Sequence, residues 1–147
     1  MNFQLIIDQS KEEKITAVVH EASVLTAKIE EMVLKYNGTD KLPAYTEDEM
    51  KMLKFSEIEC ITVSAGKTYA IDRHKQTYRI KMRLYEIEAM LPSYFIRINK
   101  SSLANEHALE RFRTSFSGAV DAVFKCGYTE YVSRRCFAEI KRRFKEK

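Results

Sequence analysis

Two short runs carry side chains suited to gripping a polyanion. Arg97-Ile98-Asn99-Lys100-Ser101-Ser102 strings together guanidinium, amide, ammonium and hydroxyl donors, the types that hydrogen-bond phosphate oxygens. Further on, Ser133-Arg134-Arg135 stands before a stretch with helical apolar spacing. A serine there caps a helix, and free backbone N–H groups and the positive end of the helix dipole add to the attraction of two arginines for a phosphate. Each run also has a plainer reading, as a turn or a cap with solvated charges. Spacing alone leaves both readings open.

Other chemistry finds little support. His20, His74 and His107 are isolated, and Cys60, Cys126 and Cys136 are far apart and odd in number. Neither set has zinc-site spacing or suggests a disulfide framework, so reduced thiols packed in or near a core are expected. A nucleophile elbow, a phosphate-binding glycine loop and a dinucleotide fingerprint are all missing, and four glycines leave few places for one. Glu47-Asp48-Glu49 could hold a divalent ion; more simply it is a polar turn, or the first turn of a helix begun at Thr46 with capping-box spacing. We expect no enzyme, no cofactor and no metal.

The formal charge of +4 conceals a division. Residues 1–73 hold nine Lys+Arg against thirteen Asp+Glu, or −4; residues 74–147 hold sixteen against eight, or +8. A cationic half draws polyanions, nucleic acid first among them. With 45% hydrophobic and 31% charged residues the chain is of globular rather than disordered class. It has no run of membrane-spanning length and no secretory pattern at Met1-Asn2-Phe3-Gln4-Leu5, so a cytoplasmic location without membrane insertion is expected.

The elements that would position these groups are short. Phe3–Ile7 and Lys14–Val19 read as a strand pair, followed by an amphipathic helix from Ala22 to Tyr36 that Asn37-Gly38 ends. Pro43 suggests an edge or strand start beyond Lys41. Strands are expected at Met50–Leu53, Ile58–Val63, Thr68–Asp72 and Thr77–Met82, with a tight turn at Ala65-Gly66-Lys67 and a helix from Leu84 to Leu91 stopped by Pro92. Tyr94–Ile98 is a further strand. Leu103–Arg111 reads as a short strand or a loop. Val120–Phe124 and Thr129–Val132 suit a hairpin, and Phe137, Ile140 and Phe144 stripe a closing helix.

In this order the segments resemble LytTR-type DNA-binding domains. The resemblance rests on Phe95, Arg97, Lys100-Ser101 and Asn105, on Val132-Ser133-Arg134-Arg135 with the Phe137 and Ile140 spacing, on Arg83–Glu88 before Pro92, and on Glu57-Ile58 leading to Gly66-Lys67. Cys136 stands where the family often has Tyr, Ala104 replaces a bulkier aliphatic residue, and Asn99-Lys100 replaces a pair that is often His-Arg. The leading segment, with Tyr45-Thr46-Glu47-Asp48-Glu49, is similar to the N-terminal extension of stand-alone members without a receiver domain.

The resemblance implies an α+β, mostly antiparallel, elongated fold in which residues 1–44 form a strand-strand-helix extension and possible dimerisation element, and residues 45–147 a DNA-binding domain. It implies a sequence-specific transcription regulator, bound as a homodimer to double-stranded DNA, that presents loops to successive major grooves. The implied contacts are Lys67 and Thr68, then Asn99, Lys100 and Ser101, then Arg134 and Arg135. Arg135 is expected to read a base, Asn99 and Lys100 to contact phosphate and base, and Arg97, Ser101 and Ser133 to hold the DNA backbone. Asn105 is expected to brace its own turn.

Two rivals stand beside this reading. The first is a protein-interaction module for a signalling or membrane partner, which would also serve as a regulatory protein partner. The second is an RNA-binding domain that stacks bases on Tyr94, Phe95, Tyr128 and Tyr131.

Overall fold

Ser23 opens the first regular element. Its hydroxyl accepts the Thr26 N–H at 3.4 Å while Thr26 Oγ1 accepts the Ser23 N–H at 2.8 Å, a reciprocal cap that starts α1 (Val24–Tyr36). Gly38 takes the left-handed φ of 69° beyond the helix, while Asn37 stays right-handed. Only part of the apolar stripe is used. Leu34 packs on the core, whereas Val24, Met32 and Tyr36 stay 73%, 69% and 79% exposed.

The computed structural model describes residues 1–145. After α1 come β1 (Lys41–Tyr45), β2 (Met50–Lys54), β3 (Ile58–Ser64), β4 (Lys67–Asp72), β5 (Thr77–Ile80), α2 (Leu84–Met90), β6 (Phe95–Asn99), β7 (Ser102–Asn105), β8 (Leu109–Thr114), β9 (Val120–Phe124), β10 (Thr129–Val132) and α3 (Arg134–Lys145). Seven strands form one sheet in the order β2-β1-β5-β4-β3-β7-β6, and three form a second, β10-β9-β8. The pairings are antiparallel. The expected α+β, mostly antiparallel class is therefore the one observed.

Two apolar clusters lie on opposite faces of the larger sheet. Ile61, Phe95 and Leu103 face one, with Leu84 and Ile87 of α2. Cys60, Ile96, Ile98 and Ala104 face the other, which is closed by Phe124, Val132 and Ile140 from the small sheet and α3. Strands buried on both faces lose the apolar–polar alternation of a half-exposed strand, which explains why β7 was hard to read. The Leu103–Arg111 stretch is in fact the end of β7, a 3-10 turn at Glu106–Ala108 and the start of β8.

Two sequence expectations need correction, and one open alternative is decided. Phe3–Ile7 and Lys14–Val19 carry no strand pairing in the described chain, although Asp8 closes a turn between them by accepting from Ser10 N at 3.0 Å. Their β-branched composition favours extended backbone, but no sheet edge lies alongside to complete a ladder. Thr46 does not begin a helix; its N–H donates to Glu49 O at 2.9 Å and closes the β1–β2 hairpin, so Glu47-Asp48-Glu49 is a surface turn. Met82 falls outside β5, which ends at Ile80.

Phe124 is fully buried at the centre of the second cluster. Phe124→Ala is expected to cost about 3–5 kcal/mol, read as a lower urea midpoint at unchanged slope; a loss below about 1 kcal/mol would mean that the two sheets do not share this core.

Candidate nucleic-acid interface

The hairpin turn between β3 and β4 sets the first candidate residue. Ala65 and Gly66 have φ of 52° and 75°, the paired left-handed conformation that a two-residue hairpin turn requires. Lys67 follows and is exposed. Thr68 is only 5% exposed and its carbonyl accepts from Arg79 Nη1 at 3.1 Å, so the structure removes its side chain from the surface.

The next turn, between β6 and β7, is bent by a bulge between Arg97 and Asn99. The bulge leaves Asn99 inside, 7% exposed, and Lys100 outside. Asn99 Nδ2 donates to Tyr131 O at 2.6 Å, and its Oδ1 accepts Ser101 N at 2.7 Å. Arg97 Nε lies 2.8 Å from Glu88 Oε2 on α2, while its Nη1 donates to Lys100 O at 2.6 Å. Both side chains expected at DNA are thus struts that fix the turn carrying Lys100. Ser101, half-buried, accepts the Val63 N–H through its carbonyl at 2.9 Å.

At the third junction Ser133 N donates to Ile98 O at 2.8 Å, and Ser133 Oγ accepts Cys136 N at 3.2 Å. Ser133 is therefore the helix cap that its position suggested. The first turn of α3 presents Arg134 and Arg135 to solvent. The Arg135 side chain is 91% exposed, with Glu139 Oε1 3.9 Å from its Nε. Asn105 braces its own turn as expected: Oδ1 accepts His107 N at 2.9 Å and Nδ2 donates to Ile58 O at 3.0 Å.

These contacts join the three junctions edge to edge. Val63–Ser101 ties the end of β3 to the β6–β7 turn, and Ser133–Ile98 and Asn99–Tyr131 tie that turn to the end of β10. Behind them sits a residue that sequence reading missed. Glu130 Oε1 accepts from Thr62 Oγ1 at 2.8 Å, Tyr128 OH at 3.0 Å and Ser102 Oγ at 3.2 Å, and Oε2 accepts Tyr131 N at 3.1 Å. One carboxylate thereby links both sheets. Thr-Glu-Tyr-Val alternates like any half-exposed strand, so nothing local marks Glu130. Burial, with Cys60 and Glu130 alongside, pushes the Tyr128 hydroxyl well above the usual phenol range and keeps it a donor.

Two other expectations can be placed. Tyr94 and Phe95 are buried and cannot stack on a nucleobase, and Tyr128 is half-buried against Phe124. Cys60, Cys126 and Cys136 are free thiols. No cluster of three metal-type ligands occurs among the described residues, and no described helix is long and apolar enough to cross a membrane.

Comparison with known proteins shows the family and the fold. A model of the LytTr DNA-binding domain family matches residues 48–145. An uncharacterized HTH-type transcriptional regulator of Staphylococcus aureus strain bovine RF122 / ET3-1 is 29% identical over 146 residues, covering 97% of each chain. A regulator of the same designation from strain MSSA476 is 30% identical over 146 residues. A solved LytTr DNA-binding domain from Bacillus cereus superposes with a TM-score of 0.64 at 21% identity, covering 71% of this chain and 96% of that one. The relatives are named for a helix-turn-helix; in this chain strands separate α1 from α2 and α2 from α3.

Asn99→Ala is expected to cost about 1–3 kcal/mol, because it leaves the Tyr131 carbonyl and Ser101 N–H without partners. Lys100→Ala one position on should stay within about 0.5 kcal/mol. Chemical denaturation of both variants checks this; equal stability would mean that Asn99 is not a strut.

Proposed function

The chain belongs to the LytTr DNA-binding domain family, and from that premise we propose that this DNA-binding transcription regulator reads duplex DNA in a sequence-specific way through the loops at one end of its sheets. The observation that carries this is the division of labour at the three joined junctions. Thr68 is buried and Arg97, Asn99 and Ser133 are spent on internal bonds, while Lys67, Lys100, Arg134 and Arg135 stay exposed on the turns they hold, Arg135 with Glu139 at 3.9 Å.

Arg135 is the base reader, since a guanidinium can hydrogen-bond guanine O6 and N7 together in the major groove. Lys100 meets base or phosphate. Lys67, Ser101 and Arg134 hold phosphates and set register, each ion pair to DNA releasing counterions. Arg97, Asn99, Thr68 and Ser133 act from behind as positioning residues. The protein works without catalysis and in the cytoplasm.

It acts as a homodimer, which suits paired half-sites on DNA. The N-terminal extension supports this. Residues 1–22 carry no ladder, and Phe3, Ile7 and Val18 are 89%, 85% and 93% exposed, an apolar, unpaired segment of the kind that a second copy can cover.

In gel shifts on the duplex upstream of the protein's own gene, the chain should give a specific complex that weakens steeply from low to moderate salt; no specific shift at any salt concentration would refute the reading. Arg135→Ala should cost about 1–3 kcal/mol on the cognate site and relax preference at one base pair. Equal losses on cognate and random duplex would move Arg135 to the phosphate class. For the dimer, sedimentation of the full chain should give twice the monomer mass and deletion of residues 2–22 should give the monomer. A monomeric full chain would remove the dimer from the proposal.

A further inference from the structure

The β8–β9 turn projects an aromatic ring from the same end of the fold as the basic junctions. Thr114 pairs with Val120, and Val120 with Val132, so this turn leaves the small sheet where Ser133 begins α3. That end of β10 is bonded to the tip of β6 through Ser133 N and Ile98 O at 2.8 Å, and the β6–β7 turn is bonded to the end of β3. The β8–β9 turn therefore stands at the same end as the β3–β4 and β6–β7 turns and the start of α3, carried by the second sheet.

The turn is built rather than loose. Gly118 N donates to Ser115 O at 3.0 Å, Ser115 N to Ala119 O at 2.9 Å, and the Ser115 and Ser117 hydroxyls lie 2.8 Å apart. Gly118, at φ 84°, supplies the left-handed residue that closes a three-residue hairpin loop. The result holds Phe116 at the apex, 114% exposed, more than in an extended chain. The ring contributes nothing to either core. Arg113 flanks it with a side chain 57% exposed, and its counterion is Asp121, whose Oδ2 lies at the long distance of 3.8 Å. A pair that long and that wet exchanges readily for a phosphate.

We infer that the β8–β9 turn is a fourth DNA contact of this chain. Phe116 lays its ring on the sugars and base edges of the groove next to the one facing Arg135, as apolar wedges do in narrow grooves, and Arg113 pairs with the flanking phosphate. The inference rests on the DNA-binding reading above and adds a contact in which apolar burial, rather than charge, supplies the affinity.

The test uses the full chain, a fluorescent duplex of its own upstream region and anisotropy titrations at several salt concentrations. Phe116→Ser should weaken binding about tenfold with no change in the salt slope, since a ring releases no counterions. Arg113→Ala should weaken it less and lower the slope by about one. Neither variant should change the thermal midpoint, and hydroxyl-radical footprints of both should lose protection at one outer edge. If both variants bind and footprint like the parent while Arg135→Ala does not, the turn lies off the DNA and only this inference falls. If the parent chain gives no specific complex, the DNA-binding reading falls with it.

Discussion

The arrangement of the exposed turns depends on one half-buried polar joint between two sheets. Glu130 on β10 takes hydrogen bonds from Thr62 on β3, Ser102 on β7, its neighbour Tyr128 and the Tyr131 backbone. Hydrogen bonds to a charged acceptor contribute about 1.5–3 kcal/mol each, and their value lies as much in direction as in energy. Apolar packing of Ile96, Ile98, Phe124 and Val132 brings the sheets together, but packing tolerates sliding. A carboxylate with four donors does not, since any shift breaks several directional bonds at once, the one to buried Ser102 among them. The joint thereby fixes the distance between the β6–β7 turn and the start of α3, which sets where Lys100 and Arg135 stand relative to each other.

Arginine shows how far neighbours decide a role. Arg97 and Arg135 are chemically identical and both sit in basic runs. Arg97 lies beside Glu88 of α2 and the Lys100 carbonyl, and its guanidinium is consumed there. Arg135 faces Glu139, one helical turn on at 3.9 Å, and with its side chain 91% exposed the donor fork stays open to solvent. The +8 charge of the second half is consequently not a uniform field. Some of it is internal mortar, as with Arg143 against Glu106 at 2.8 Å, and the remainder is concentrated on turns.

Local pattern carried much of this into the sequence. The hairpin Val120–Phe124 with Thr129–Val132, the turn at Ala65-Gly66 and the Ser133 cap were legible because turn chemistry and short-range periodicity determine them. The basic runs were legible as turns and a helix start, and their order matched a family. Individual roles were not. Asn99 looks like a contact in the sequence and is a strut in the fold, because a bulge one residue long turns it inward; Glu130 looks like surface and is the joint. Both depend on partners thirty to seventy residues away, which periodicity cannot see. The N-terminal strands failed for a related reason: residue preference sets an extended backbone, but a ladder needs an edge to pair with.

A β-rich reader presents its donors differently from a recognition helix. A helix offers a single continuous face to one groove, whereas turns at the end of a sheet are spaced by the strand interval and can be placed over more than one groove. The cost is that each turn must be rigid by itself, since ordering a mobile loop on binding subtracts from affinity. In this chain each turn is closed by its own device: a left-handed pair at Ala65-Gly66, the Asn99 amide across Ser101, the Ser133 cap. Charged side chains then need only change rotamer to meet a phosphate. Rigid backbone with mobile tips is the combination that lets a small domain bind a long polyanion without folding upon it.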